Sequence, residues 1–181
     1  MSQPPSNKAL PRYADARKFA QQQLDLAGQI DVALMSRLHD LLANDTASAE
    51  VALSFGRDGE GRKVVTGSAD AKIMLVCQRC LEPVQVNLHS DIALAIVWSE
   101  DQATGLPKYL DPWILDEGAA DLYEMIEEEL LLALPAVAYH AEPCVPEALF
   151  HSGEPAAEKA SVERNPFQVL EQLKGSPKTG D

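Results

Sequence analysis

Nowhere among the 181 residues does an apolar run approach the ~20 that a membrane-spanning helix needs, so no such helix is expected. Met1 to Lys8 lack a charged segment followed by an apolar stretch, so no secretory signal is expected there. Cysteine is scarce, with only Cys77, Cys80 and Cys144. An odd, small set without a signal argues against a disulfide framework and for a reducing compartment, which makes the expected location cytoplasmic. Aromatic residues are 6% of the chain. Only Phe55 lies close to the basic residues of the middle segment, so a base-stacking RNA platform of the usual kind is not expected there. A glycine-rich phosphate loop, a nucleophile elbow and a serine–histidine–acid arrangement are also missing from the sequence.

Positive charge is in short supply as well. The chain has 15 Lys/Arg against 28 Asp/Glu, a net charge of −13. Residues 1–98 are close to balance, with 10 basic and 11 acidic residues, whereas residues 99–181 carry 5 and 17. An acidic half repels phosphate backbones and suits a basic protein partner, and it also supports solubility. The apolar content of 46% and the length are enough for one domain with a real core.

What is present reads as α+β. Ala14 to Ala20 is a short helical stretch, and Leu24 to Ile30 alternates like a strand. Asp31 is placed to cap a helix over Val32–Leu42, whose apolar residues recur at three and four. Residues 50–56, 63–76 and 84–98 alternate apolar and polar, with Arg57 to Gly61 as a turn between the first two. Cys77-Gln78-Arg79-Cys80 joins the two long runs, which predicts an antiparallel hairpin with one buried face. Residues 99–116 read as a loop with a short edge strand at Trp113–Leu115. Ala119–Leu134 follows as an amphipathic helix, with Asp121, Glu124, Glu127 and Glu128 on its solvent face and Pro135 as its end.

The expected organisation is a flexible tail over 1–9, a single domain over 10–150, a linker over 151–164, a peripheral C-terminal helix over 165–174 and a tail over 175–181. Asn165 and Pro166 are a favourable cap and first turn for that last helix.

Cys77-x-x-Cys80 is the sharpest chemical signal. A tight turn lets two thiolates grip one ion, and His140-x-x-x-Cys144 offers the second pair that tetrahedral zinc requires. One structural zinc on Cys77, Cys80, His140 and Cys144 is therefore the expected cofactor. Two other readings stay open: small hydrophobes at a strand end, or a redox dithiol. The dithiol is disfavoured because no helix N-terminus follows to lower a thiol pKa. Arg57, Arg62, Lys63, Lys72 and Arg79 gather positive charge around the hairpin and are candidates for RNA or partner contact. Glu124, Glu127 and Glu128 are candidates for docking a basic protein. A metal-dependent hydrolase built on Glu127, Glu128 and Glu129 with Asp121 and Glu124 would need a partner His or Asp motif, which is missing from the sequence. His39 and His89 read as structural or solvated residues, and Trp98 and Trp113 as packing residues.

Taken together, Cys77 to Pro83, Asp121-Leu122 through Glu127-Glu128-Glu129 to Pro135, His140, Cys144, and Asn165-Pro166-Phe167 with Leu170 and Leu173 resemble the large ribosomal RNA subunit accumulation protein family, often called YceD. Leu24-Asp25-Leu26 with Gly28, and Gly67 to Ala71, fit as well, so the resemblance spans roughly residues 8–175. It implies a role in synthesis, processing or stability of large-subunit (23S) ribosomal RNA. It supplies no established catalytic residue. The expected protein is a non-enzymatic ribosome-biogenesis factor that binds a basic ribosomal or assembly protein, or pre-ribosomal RNA. A hydrolase or a thiol oxidoreductase is the alternative.

Overall fold

The computed structural model describes residues 8–44, 46–116 and 118–146. By internal contacts the chain divides into two units, 1–145 and 146–181. The expected linker, C-terminal helix and C-terminal tail lie outside the described residues. So do residues 1–7.

In chain order the elements are β1 (Tyr13–Ala14), α1 (Ala16–Gln22), β2 (Asp25–Asp31), α2 (Ser36–His39), β3 (Ser48–Arg57), β4 (Lys63–Val76), β5 (Pro83–Val97), α3 (Glu100–Ala103), β6 (Asp111–Ile114), β7 (Ala120–Asp121) and α4 (Leu122–Leu132). Five strands form one sheet in the order β2-β3-β4-β5-β6, and β1 pairs with β7 in a small second sheet. The fold is α+β, as the alternation predicts. The large sheet is antiparallel from β2 to β5, and β6 joins it parallel to β5. Residues 8 and 9, expected as the end of a tail, run beside β2: Gln29 N donates to Lys8 O, and Leu10 N to Gln29 O, both at 3.0 Å.

Register follows from the buried parity. Ala49, Val51, Leu53 and Phe55 on β3 meet Ala71, Ala69, Gly67 and Val65 on β4, which meet Leu88, Ser90, Ile92 and Leu94 on β5. This row faces α1, α2 and α4 and forms the main core with Leu38, Leu122, Ile126 and Leu130. Phe19 of α1 packs edge-on to Phe55, with ring centroids 5.6 Å apart. Gly67 sits in this row because a side chain there would collide: a Cβ would lie 2.0 Å from the Ala52 carbonyl oxygen. A smaller cluster of Val64, Ala95, Val97 and Leu110 covers one end of the opposite face.

Two helices depart from the expected pattern. The segment Val32–Leu42 is broken rather than continuous. Asp31 caps only a 3-10 turn over Val32–Leu34, accepting from Ala33 N at 3.0 Å, and buried Met35 leaves helical geometry before α2 begins. The break is tolerated because α2 receives its cap from α4: Glu127 Oε1 accepts from Arg37 N at 2.7 Å and Leu38 N at 3.1 Å. Glu127 is therefore 6% exposed and does not belong to the solvent face on which the amphipathic pattern places it. Asp121 likewise serves as the N-cap of α4, accepting from Tyr123 N and Glu124 N at 2.9 and 3.2 Å. No described helix is long and apolar enough to cross a membrane.

Candidate metal centre

The β4–β5 connection is a knuckle closed by Cys77 N donating to Glu82 O and Leu81 N donating to Cys77 O, both at 2.9 Å. Leu81 adopts the left-handed region, with φ 63°, and is 73% exposed. The chain returns to this knuckle after α4, where Gln78 N donates to Ala138 O at 2.9 Å. Arg79 secures the return: its guanidinium donates to His140 O and, at 3.0 Å, to Glu142 O, and stacks 5.1 Å from the Tyr139 ring. Cys77, Val84 and Ala138 form a small core of their own beneath.

These contacts bring Cys77, Cys80, His140 and Cys144 together, with one ligand atom from each lying within 4.8 Å of all the others. Cys77 Sγ and Cys144 Sγ are 3.7 Å apart, and Cys80 Sγ lies 3.4 Å from His140 Nδ1. Tetrahedral zinc with ordinary bond lengths sets those edges at about 3.8 and about 3.6 Å, while a disulfide would need about 2.05 Å. His140 Nε2 is 3.2 Å from Pro83 O, and since a carbonyl only accepts, Nε2 carries the proton and Nδ1 is left free to ligate. Donor types, spacing and outer hydrogen bonding all fit a metal ion.

The thiols are electrostatically unequal. Burial pushes the Cys77 thiol up, but the backbone amides of Cys80, Arg79 and His140 and the His140 ring pull it down further, to about 5. Cys144 is pushed up, by burial and then by Cys80 and Cys77. A low thiol pKa also suits a nucleophile. Cys77, however, has no exposed surface, which denies an incoming disulfide the access that exchange requires.

The charged candidates scatter. Arg57 is tied to Gly61 O at 3.2 Å, and Arg62 to Asp58 at 2.6 Å and to Glu60. Arg79 is spent on the knuckle. Glu124 and Glu128 are exposed, with Glu128 3.6 Å from Arg37, while Glu127 is inside. Glu129 turns toward the sheet, accepts from Ser90 Oγ at 3.1 Å, and has its carboxyl pushed up by burial. Lys63 borders a cleft that the sequence does not announce. There Arg17 lies 3.2 Å from the ring centre of Trp98, which is 51% exposed rather than packed away. No local pattern links residues 17 and 98.

A sheet-and-helix domain with a cysteine–histidine knuckle at its hairpin tip is thus the class that fold and site define. Comparison with known proteins narrows it. Residues 65–174 match the family model "Large ribosomal RNA subunit accumulation protein YceD". The chain is 35% identical over 167 residues to the Haemophilus influenzae protein of that name, covering 91% of this chain and 96% of that one. It belongs to the YceD family. No solved structure matches it.

Proposed function

We propose that this protein is a non-enzymatic factor supporting the synthesis, processing or stability of large-subunit ribosomal RNA, and that it acts by holding a basic ribosomal or assembly protein. Family membership supports the ribosomal RNA role. The binding reading rests on one observation, the outer face of the sheet, which among the described residues stays open away from the end covered by Leu106 and Leu110. Asp25, Asp31, Glu50, Asp70 and Asp91 are all exposed there, on four adjacent strands, with Lys72 and His89 among them. Glu50 and Asp70 are directly opposed across β3 and β4. Like charges so placed repel, and His89, 2.7 Å from Asp70 and 3.3 Å from Asp91, offsets only part of that cost in the free state. A cationic partner would relieve it. Between these strands the face is concave, enclosing about 870 Å³ bordered by Gln29, Asp31, Glu50, Asp70 and Asn87.

In the same reading one structural zinc, held by Cys77, Cys80, His140 and Cys144, ties residues 138–144 to the hairpin tip. The metal would supply cohesion and no chemistry. Its place is at the far end of β4 and β5 from Lys63 and Val97.

The test is retention of purified large-subunit proteins and precursor particles on immobilised protein, at low and moderate salt. Retention that weakens with salt and falls with Glu50→Gln plus Asp70→Asn supports the reading. Failure to retain any of them at either salt rejects it.

A further inference from the structure

At the end of the sheet away from the knuckle, α1, the start of β4 and Trp98, which follows β5, border a cleft of about 1020 Å³, lined by Arg17, Lys18, Gln21, Gln22, Lys63 and Trp98 among others. Three cations face one described carboxylate there, that of Asp15, on a chain of net charge −13. Asp15 is occupied as the cap of α1, accepting from Lys18 N at 3.0 Å. Among the described residues neither the Lys18 nor the Lys63 ammonium takes part in an ion pair.

Trp98 is built as a platform. Arg17 stacks on its ring at 3.2 Å and is itself fixed by donating to Leu115 O and, at 3.0 Å, to Asp116 O. The Trp98 backbone is held by its N–H donating to Gln102 Oε1 at 2.9 Å. One side of the indole is thereby covered and the residue stays 51% exposed. Leaving so much apolar area in water costs free energy unless something stacks on it.

We propose that this cleft binds single-stranded RNA, with a base stacked on the open side of Trp98 and neighbouring phosphates met by Lys18 and Lys63. The inference rests on the ribosomal RNA role proposed above and adds direct contact with the RNA. An aromatic plate flanked by cations is the general chemistry of single-strand binding, because every base has a flat face and every linkage a charge. The Gln21 and Gln22 amides can donate to and accept from base edges. An acidic peptide would use the lysines but has no use for the plate. The surrounding negative charge keeps the site local: two neutralised phosphates correspond to a salt slope of about −1.4 in log K against log salt.

The test uses the full chain and a labelled unstructured twelve-nucleotide RNA, followed by fluorescence anisotropy at several salt concentrations. Trp98→Ala is expected to weaken binding roughly tenfold, and Trp98→Phe to restore most of it. Lys18→Glu plus Lys63→Glu is expected to weaken binding and flatten the salt dependence. Lys108→Glu, an exposed lysine that does not line the cleft, is expected to leave binding unchanged. Circular dichroism confirms that each variant folds. Absence of RNA binding at low salt, equal binding by Trp98→Ala, or equal affinity for an oligoglutamate of the same length overturns the proposal. If RNA binding is absent while large-subunit proteins are still retained, the cleft proposal alone fails. If both are absent, the reading it rests on fails too.

Discussion

Glu127 on α4 caps the helix that contains Leu38, accepting from Leu38 N at 3.1 Å and from Arg37 N at 2.7 Å. The same carboxylate lies 3.3 Å from Arg37 Nε. One buried side chain thus replaces the local cap that α2 lacks, since Met35 provides none. Glu127→Ala is expected to cost about 3 kcal/mol, because two N–H groups lose their partner together with an ionic one. Glu127→Gln retains an acceptor oxygen and should cost about half as much. Urea unfolding measures both. A Glu127→Ala protein within about 0.5 kcal/mol of wild type would remove the cap from the account.

The knuckle predicts a metal count. Native mass spectrometry of the intact chain should find one zinc, and Cys77→Ser plus Cys80→Ser should abolish it. The double variant should lose several kcal/mol and become sensitive to protease between Pro135 and Pro146. A metal-free wild type, as stable as the variant, would return the thiols to simple packing.

Gly67 and Gly56 offer a contrast. A methyl at Gly67 would fall 2.0 Å from the Ala52 carbonyl, whereas at Gly56 it meets nothing within 4 Å. Gly67→Ala must push β3 from β4 and should cost about 3 kcal/mol or more, while Gly56→Ala should stay within about 0.5 kcal/mol. Thermal unfolding of the pair decides; equal melting temperatures would contradict the close approach.

His89 predicts a pH dependence. Asp70 Oδ1 accepts from His89 Nδ1 at 2.7 Å, and Asp91 lies 3.3 Å from Nε2. The hydrogen bond and charge of Asp70 raise the imidazole pKa above its usual 6.5. The charged ring is therefore favoured in the fold. Its contribution is full below about 6.5 and fades as pH climbs through the raised value. An NMR titration should place the His89 midpoint above 6.5, and Asp70→Asn should bring it down. A midpoint that ignores Asp70→Asn would sever the link.

Much of the sheet was legible because its signal is local. β3, β4 and β5 bury one face, so period-2 alternation marked them, and β4 was expected over the same residues, 63–76, that it occupies. The Cys77–Cys80 turn was legible for the same reason, since two thiols at this spacing can serve one ion wherever the turn lies. His140 and Cys144 could be proposed as the second pair from chemistry alone. Their approach to the knuckle depends on Arg79 holding the returning chain.

The solvent face of α4 was less legible. Amphipathic spacing puts Glu127 beside Glu124 and Glu128, and only the position of α2 decides that Glu127 is inside. The expected helix at Val32–Leu42 failed likewise, because a carboxylate from residue 127 makes a broken helix stable. By sequence Trp98 reads as a packing residue, whereas in the fold it is 51% exposed with Arg17 stacked upon it. Composition, turn chemistry and alternation are carried by neighbours along the chain, so the amino-acid sequence by itself determined the strand-rich core, the hairpin and the donor types of the four side chains that meet at its tip. Which charges are buried, which aromatic side stays open, and which cations share a cleft were decided by the tertiary structure, because desolvation and Coulomb energies depend on distance through space and not along the chain.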